Sequence, residues 1–208
     1  MSEPELAHAG LNLGPSAELT RDGAENAIFG FWIFLMSDAV IFALLFATYG
    51  TMVAGTAGGP TPASEFKLLP AFVETLLLLT SSATFGRASI AMKYAEPRRT
   101  LFGWLGATLG LGLTFLALEA NDYATMVAHG AVPSRSGFLS AFYALTGLHG
   151  LHVAVACFWL VVMVGQVLAY GLDARVKINL LRLGLFWHLL DIVWIAIFSV
   201  VYLQGAIR

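Results

Sequence analysis

Charged residues are scarce in this chain, and their scarcity decides its class. Asp, Glu, Lys and Arg together make up 12% of the 208 residues, whereas hydrophobic residues make up 58%. Soluble globular proteins carry roughly 25% charged residues, so a sizeable soluble domain is excluded. The mean hydropathy of +0.78 indicates an integral membrane protein.

The chain also has only one cysteine and no basic stripe of the kind that binds nucleic acids. A single cysteine, Cys157, excludes an intrachain disulfide and a dinuclear copper centre that needs two thiolates. Cys157 lies in an apolar segment, so we expect it to pack as a small hydrophobic side chain. The net charge of -2 and a pI of about 6.2 give no reason to expect a nucleic-acid partner.

Prolines and polar residues interrupt the chain at few places and leave five long apolar segments. Each is long enough to cross roughly 30 Å of hydrocarbon at about 1.5 Å per residue. The alternating pattern of a membrane β-barrel is absent. We therefore predict an all-α protein, with a polar acidic tail over residues 1–27 and a bundle of five transmembrane helices. The predicted spans are residues 28–54, 68–94, 101–128, 138–170 and 178–203.

Basic residues are unevenly distributed among the connections, which predicts the orientation. The first and third connections hold only Lys67 and Arg135. Cytoplasmic loops carry an excess of Lys and Arg, so we expect the N-terminus inside and the C-terminus outside. The acidic tail lacks the basic start of a signal peptide, so the first helix should be retained. The second and fourth connections are flanked by Lys93, Arg98, Arg99, Arg175, Lys177 and Arg182.

The last apolar segment carries an ionisable pair, His188 and Asp191, which share one helix face. They lie roughly 15 and 20 Å from the inner end, near the middle of the membrane. His149 and His152 of the fourth segment have a similar depth, and consecutive helices usually pack side by side. We therefore expect the two histidines to face His188 and Asp191. Such contacts usually link helices rather than transfer protons.

Three further carboxylates are predicted to lie within the membrane. Asp38 lies about 15 Å from the inner end of the first helix, and Glu74 and Glu119 lie in the outer halves of the second and third. Together with the histidines and Asp191 they form a candidate polar intramembrane network. Arg87 lies near the inner end of the second helix, so we expect it to reach lipid headgroups or Asp38.

Four motifs mix aromatic, histidine and carboxylate residues within the apolar segments: Gly30–Asp38, Leu118–Tyr123, Gly147–Val153 and Phe186–Trp194. In this order they resemble subunit III of the haem-copper terminal oxidases. The resemblance runs from about Ile28 to the end of the chain. Five helices make the chain similar to the subunit III of cytochrome bo-type ubiquinol oxidases, because the cytochrome c oxidase subunit usually has seven. The family carboxylate known for carbodiimide reactivity corresponds to Asp38, which is one methylene shorter.

The resemblance implies a place in aerobic respiration. The complex oxidises ubiquinol, reduces oxygen and translocates protons, while subunit I holds the haems and copper. This chain is then expected to contain no catalytic residue, metal or redox cofactor. It is expected to contact subunit I, to assemble with subunits II and IV, and to bind phospholipid in a bacterial inner membrane. Its role would be assembly, stability and sustained proton uptake.

Three alternatives remain open. The chain is also similar to subunit III of a cytochrome c oxidase, because the electron donor is handled by other subunits. A haem-binding membrane protein would use His149 or His152 together with His188 as axial ligands. A small proton channel would be lined by the embedded carboxylates and histidines.

Overall fold

The computed structural model describes residues 18–61, 68–94 and 96–207, and within these ranges it contains helices and no strand. Five of the helices are long and apolar enough to span a membrane, which confirms the predicted all-α class. A 3₁₀ turn, Pro133–Arg135, precedes the fourth helix, and a π-helical turn, Phe198–Leu203, continues the fifth. The five helices are α1 (Glu18–Met52), α2 (Leu68–Lys93), α3 (Arg98–Ala128), α4 (Gly137–Tyr170) and α5 (Ala174–Ile197).

Local caps set the helix ends, so several helices extend beyond their apolar segments. The Asp173 carboxylate accepts a hydrogen bond from the Ala174 N–H at 2.7 Å, which starts α5 before the predicted residue 178. Gly171 ends α4 with a φ of 74°, a conformation that favours glycine. The first helix begins at Glu18, so the end of the acidic tail is helical, and its membrane-spanning part is Asn26–Met52.

Four of the helices form a closed ring. α2 packs along α3, α3 along α4, α4 along α5, and α5 returns to α2. α1 lies outside this ring and packs against α4 and α5. Because α5 contacts α1, α2 and α4, its side chains face three different neighbours. The partner of each polar group on α5 therefore depends on the rotation of the helix about its axis.

Aromatic side chains fill the centre of the ring where glycine provides space. A Cβ atom at Gly112 would lie 2.9 Å from the Trp187 ring and 3.0 Å from the Cys157 sulfur. Phe85 stacks on Trp187 with ring centroids 6.1 Å apart. The indole N–H of Trp187 donates to Ser81 Oγ at 3.0 Å, so its polar atom is satisfied inside the bundle. Cys157 is buried in this core, which confirms its expected packing role.

Candidate functional site

Asp38 of α1 and His152 of α4 form a close polar pair. Asp38 Oδ1 lies 3.2 Å from His152 Nε2, and the Asp38 side chain is buried. The other ring nitrogen, His152 Nδ1, lies 2.7 Å from the carbonyl oxygen of Leu148, one turn earlier on α4. Phe42 packs edge-on against the imidazole, with ring centroids 5.4 Å apart. The pair joins α1 to the ring of four helices.

The hydrogen bonds of this pair require an extra proton. A carbonyl oxygen only accepts, so His152 Nδ1 carries the proton that it donates to Leu148. A neutral imidazole then has no proton on Nε2, and an ionised carboxylate has none either. The contact is a hydrogen bond only when a further proton lies on Nε2 or on the Asp38 carboxyl group. Asp38 and His152 can therefore hold one proton between them inside the bundle.

His188 of α5 contacts α2. Its Nδ1 lies 2.6 Å from Ser82 Oγ and 3.9 Å from Asp191 Oδ2. Asp191 is buried, whereas 45% of the His188 side chain is exposed. The carboxylate thus lies behind the histidine, on the inner side of the helix pair, and the ring extends to the outer surface of the bundle.

The expected contact between the two histidine pairs is not formed as predicted. His152 pairs with Asp38, and Phe186 of α5 packs against it with centroids 6.0 Å apart. His188 follows Phe186 by two residues and is therefore rotated by roughly 200° around α5, toward α2. The depths predicted from the sequence place these residues at one level of the bundle. The rotation of α5 about its axis decides which residues they contact.

His149 lies at the centre of the ring among aromatic side chains. It is completely buried, and neither ring nitrogen has a hydrogen-bond partner among the described residues. Trp194 lies over it with centroids 5.2 Å apart, and Phe115 meets it edge-on at 5.9 Å. The predicted network therefore does not extend through His149 by direct hydrogen bonds.

Glu119 begins a second polar chain, which links α3 to α4. Tyr123 Oη lies 3.0 Å from Glu119 Oε1 and 2.8 Å from Thr146 Oγ1. The Thr146 hydroxyl donates to the Phe142 carbonyl at 2.8 Å, so toward Tyr123 it can only accept. Tyr123 has one proton to donate, so all three contacts are hydrogen bonds only when Glu119 carries a proton. The close approach depends on Gly150, where a Cβ would lie 2.6 Å from Glu119 Oε2.

Glu74 lies near this chain on α2. It is buried, and its Oε1 has no hydrogen-bond partner within the described ranges. It lies within electrostatic range of Glu119 and Asp122, so the three carboxyl groups repel one another when ionised. Tyr202, on the π-helical turn, is close enough to interact with the same groups. The polar groups around Glu119 thus come from α2, α3, α4 and the end of α5.

Arg87 has a different neighbour from the one expected among the carboxylates. Its guanidinium lies 5.7 Å from the centroid of the Trp104 ring, a cation–π distance, and the residue is exposed. Asp38 is instead paired with His152. The remaining expectation for Arg87, a lipid headgroup, is compatible with its exposed position.

No group of three or more His, Cys, Asp or Glu side chains in the described part of the chain is arranged to hold a metal ion. The three embedded histidines have different polar surroundings, although Phe42 packs against both His149 and His152. His149 lies among aromatic rings, His152 contacts Asp38, and His188 contacts Ser82. Bis-histidine ligation of a haem would require two of them to face one common space.

Hydroxyl groups are the site residues that sequence reasoning missed. Ser82, Tyr123 and Thr146 each bind a predicted site residue or extend its hydrogen bonding. Serine and threonine commonly satisfy their hydroxyls on the preceding helical turn, so the sequence does not distinguish those that reach across helices. The four-residue spacing of Glu119 and Tyr123 was the one available signal, because such residues are neighbours on a helix.

Comparisons with known proteins agree on one family. A family model described as cytochrome c oxidase subunit III matches residues 16–206. A Pseudomonas aeruginosa protein named cytochrome bo(3) ubiquinol oxidase subunit 3 is 44% identical over 195 residues, covering 94% of this chain and 93% of that protein. A Bacillus sp. PS3 protein named cytochrome c oxidase subunit 3 is 37% identical over 99% of each chain. A Bacillus subtilis protein named quinol oxidase subunit 3 is 38% identical over 97% of this chain and 98% of that protein.

Proposed function

The chain belongs to the cytochrome c oxidase subunit III family, and from that premise we propose that it serves as subunit III of a bacterial cytochrome bo-type ubiquinol oxidase. The observation that supports this choice is the higher identity to the Pseudomonas aeruginosa ubiquinol oxidase subunit than to the Bacillus cytochrome c oxidase subunit. Its partners are then subunits I, II and IV, with subunit I as the main contact. The complex oxidises ubiquinol, reduces oxygen and translocates protons in the inner membrane.

The role of this subunit is to support the complex rather than to carry out its redox chemistry. The haems and copper are assigned to subunit I, and the polar groups of this chain hold its helices together. Ser82 links α2 to α5, Thr146 links α4 to α3, and Asp38 links α1 to α4. Polar contacts of this kind between helices stabilise the packing of membrane helices.

The Asp38 and His152 pair supplies a chemical basis for sustained proton uptake. Its geometry allows one proton to be held between the two residues, and transfer of that proton between Nε2 and Oδ1 requires a movement of only the proton. A pair that binds and releases a proton without rearranging the helices is suited to buffering the supply to a neighbouring subunit. This assignment is supported by the 3.2 Å distance between Nε2 and Oδ1 and by the hydrogen bond from Nδ1 to the Leu148 carbonyl, which fixes the imidazole.

Orientation and lipid binding form part of the same proposal. The α2–α3 and α4–α5 connections meet at one end of the bundle, where the Arg98 guanidinium lies against Gly171. Basic side chains at this end favour a cytoplasmic location and attract anionic phospholipid headgroups. The N-terminus is then inside and the C-terminus outside. Arg87, exposed near the same end, is a further candidate for headgroup contact.

The proposal is tested by purifying the native complex through a tag on this chain. We expect the other oxidase subunits to copurify, and we expect oxygen consumption with a short-chain ubiquinol but not with reduced cytochrome c. Absence of any oxidase subunit would reject the oxidase assignment. As a control, the untagged strain should yield neither the subunits nor the activity.

A second candidate is subunit III of a cytochrome c oxidase. Its supporting observation is the Bacillus sp. PS3 relative, which matches this chain over almost its full length although it is named for the other donor. Oxidation of cytochrome c by the purified complex, without oxidation of ubiquinol, would establish this candidate. Conductance of protons by the chain alone in lipid vesicles would instead favour a channel.

A further inference from the structure

His188 is a polar side chain exposed near the middle of a membrane span. It lies within the span Ala174–Leu203, about 21 Å from the first residue at about 1.5 Å per residue. Its side chain is 45% exposed. Acyl chains neither donate nor accept hydrogen bonds, so an imidazole facing them leaves a polar atom unsatisfied. Another molecule must therefore cover this position for the ring to be satisfied.

The imidazole nitrogen of His188 that faces the bundle already has partners, so the other nitrogen, Nε2, is the atom that needs one. Nδ1 faces Ser82 Oγ and the Asp191 carboxylate. A nearby carboxylate favours the proton on Nδ1, so the neutral ring presents an unprotonated Nε2 to the outside. No hydrogen bond reaches Nε2 from any residue that the structure describes. The position thus offers a hydrogen-bond acceptor at the bundle surface.

The surface around His188 has the composition of a helix contact. Ser82 and Gly86 are small residues spaced by four on α2, and a Cβ at Gly86 would meet nothing within 4 Å. Ile192 is 65% exposed one turn after His188, and Leu79 is 43% exposed one turn before Ser82. Small residues at this spacing let a neighbouring helix approach closely. We call Leu79, Ser82, Gly86, His188 and Ile192 the His188 face.

We propose that the His188 face is the docking surface for a transmembrane helix of a partner oxidase subunit, which donates a hydrogen bond from a polar side chain to His188 Nε2. The inference rests on the proposed function, because that function supplies the partner subunits. A phospholipid tail covers the apolar part of the surface but leaves Nε2 unsatisfied. A partner helix with a hydroxyl, amide or indole donor covers the surface and also donates a hydrogen bond to Nε2.

Two substitutions distinguish a contact of Nε2 with a partner helix from the contact of Nδ1 with Ser82 inside the bundle. Glutamine places its amide oxygen close to the position of Nε2, whereas asparagine places its amide close to that of Nδ1. His188→Gln should therefore keep the partner contact, and His188→Asn should keep only the contact to Ser82. We expect detergent-washed complexes to retain the chain at native levels with His188→Gln. Retention should fall about threefold or more with His188→Asn, the effect of roughly one interhelical hydrogen bond.

With both variants at native levels in the membrane, any other pattern overturns the proposal. Equal retention of the two would mean that Nε2 has no partner. Loss with His188→Gln alone would mean that the ring acts through Ser82. The test is made on the assembled complex, so copurification of the remaining subunits reports on the proposed function independently.

Photocrosslinking identifies what covers the surface. A benzophenone amino acid at Ile192 should form an adduct with one oxidase subunit in native membranes. Leu151, on α4, is the control because it has similar exposure, 59% against 65%, and nearly the same depth. An adduct at Ile192 with lipid only, or with a second copy of this chain, would overturn the docking proposal. An equally strong adduct from Leu151 to the same subunit segment would overturn it as well.

Discussion

Replacement of Asp38 by asparagine separates proton holding from helix packing. The asparagine side chain has nearly the same shape as the aspartate, and its amide group donates a hydrogen bond to a neutral His152 Nε2. The contact across 3.2 Å is then preserved without the extra proton. Alanine at the same position removes both the proton and the hydrogen bond. Comparison of the two variants therefore distinguishes a chemical role of Asp38 from a structural one.

The contacts that each substitution removes determine the expected loss of stability. Interhelical hydrogen bonds in membranes contribute about 0.6 kcal/mol on average and up to about 1.7 kcal/mol, so Asp38→Asn should weaken the bundle by less than about 1 kcal/mol. Asp38→Ala leaves the partly buried Nε2 of His152 without a partner, which costs about 1–2 kcal/mol. Only the alanine variant should therefore lose this chain from the complex in detergent.

Oxygen uptake by the purified complex measures the chemical role. Both variants should start at nearly the native rate, because the redox centres lie in another subunit. Both should then lose activity after fewer turnovers, since neither holds the proton. An immediate collapse of the initial rate would refute a supporting role. A native number of turnovers with Asp38→Asn would refute the importance of the shared proton.

Two further substitutions test the packing of Trp187 at Gly112 and the polar chain that begins at Glu119. Gly112→Ala should destabilise the bundle by about 1–3 kcal/mol, because its Cβ would lie 2.9 Å from Trp187, whereas Gly110→Ala, with nothing within 4 Å, should be neutral. Equal thermal midpoints of the two variants in detergent would contradict this packing. Tyr123→Phe should lower the midpoint by removing the hydroxyl that contacts Glu119, a loss of about 1 kcal/mol, and an unchanged midpoint would show that this contact contributes no stability.

The fold was predictable because the bilayer imposes a simple length rule. The ends of the five apolar segments lie within a few residues of the ends of the segments that are long and apolar enough to span a membrane. The errors fall where polar residues form a helix end. Asp173 caps the first turn of α5 ahead of the apolar segment, and the helical acidic residues from Glu18 precede the first span. Hydropathy reports burial in lipid, whereas caps depend on local hydrogen bonding.

The sequence indicates which polar residues lie within the spans, but it does not indicate which of them contact one another. Asp38, Asp191 and His149 are all buried, as an embedded network requires. The partners were not accessible from depth, because His152 faces Asp38 while His188 faces α2. A rotation of α5 by one residue changes the direction of each side chain by about 100°, and nothing in one sequence fixes that rotation. The packing of Trp187 into the space at Gly112 is one of the contacts that fixes it.

The most direct test compares the ubiquinol oxidase complex with and without this chain. A harsher detergent wash than the one used for purification removes the chain and leaves the redox subunits, and ubiquinol-driven oxygen uptake is then followed until activity stops. Our account predicts a nearly unchanged initial rate and a clearly smaller number of turnovers before inactivation, with recovery when the native chain is added back but not when Asp38→Asn is added. An equal number of turnovers in the depleted and complete complexes would contradict it.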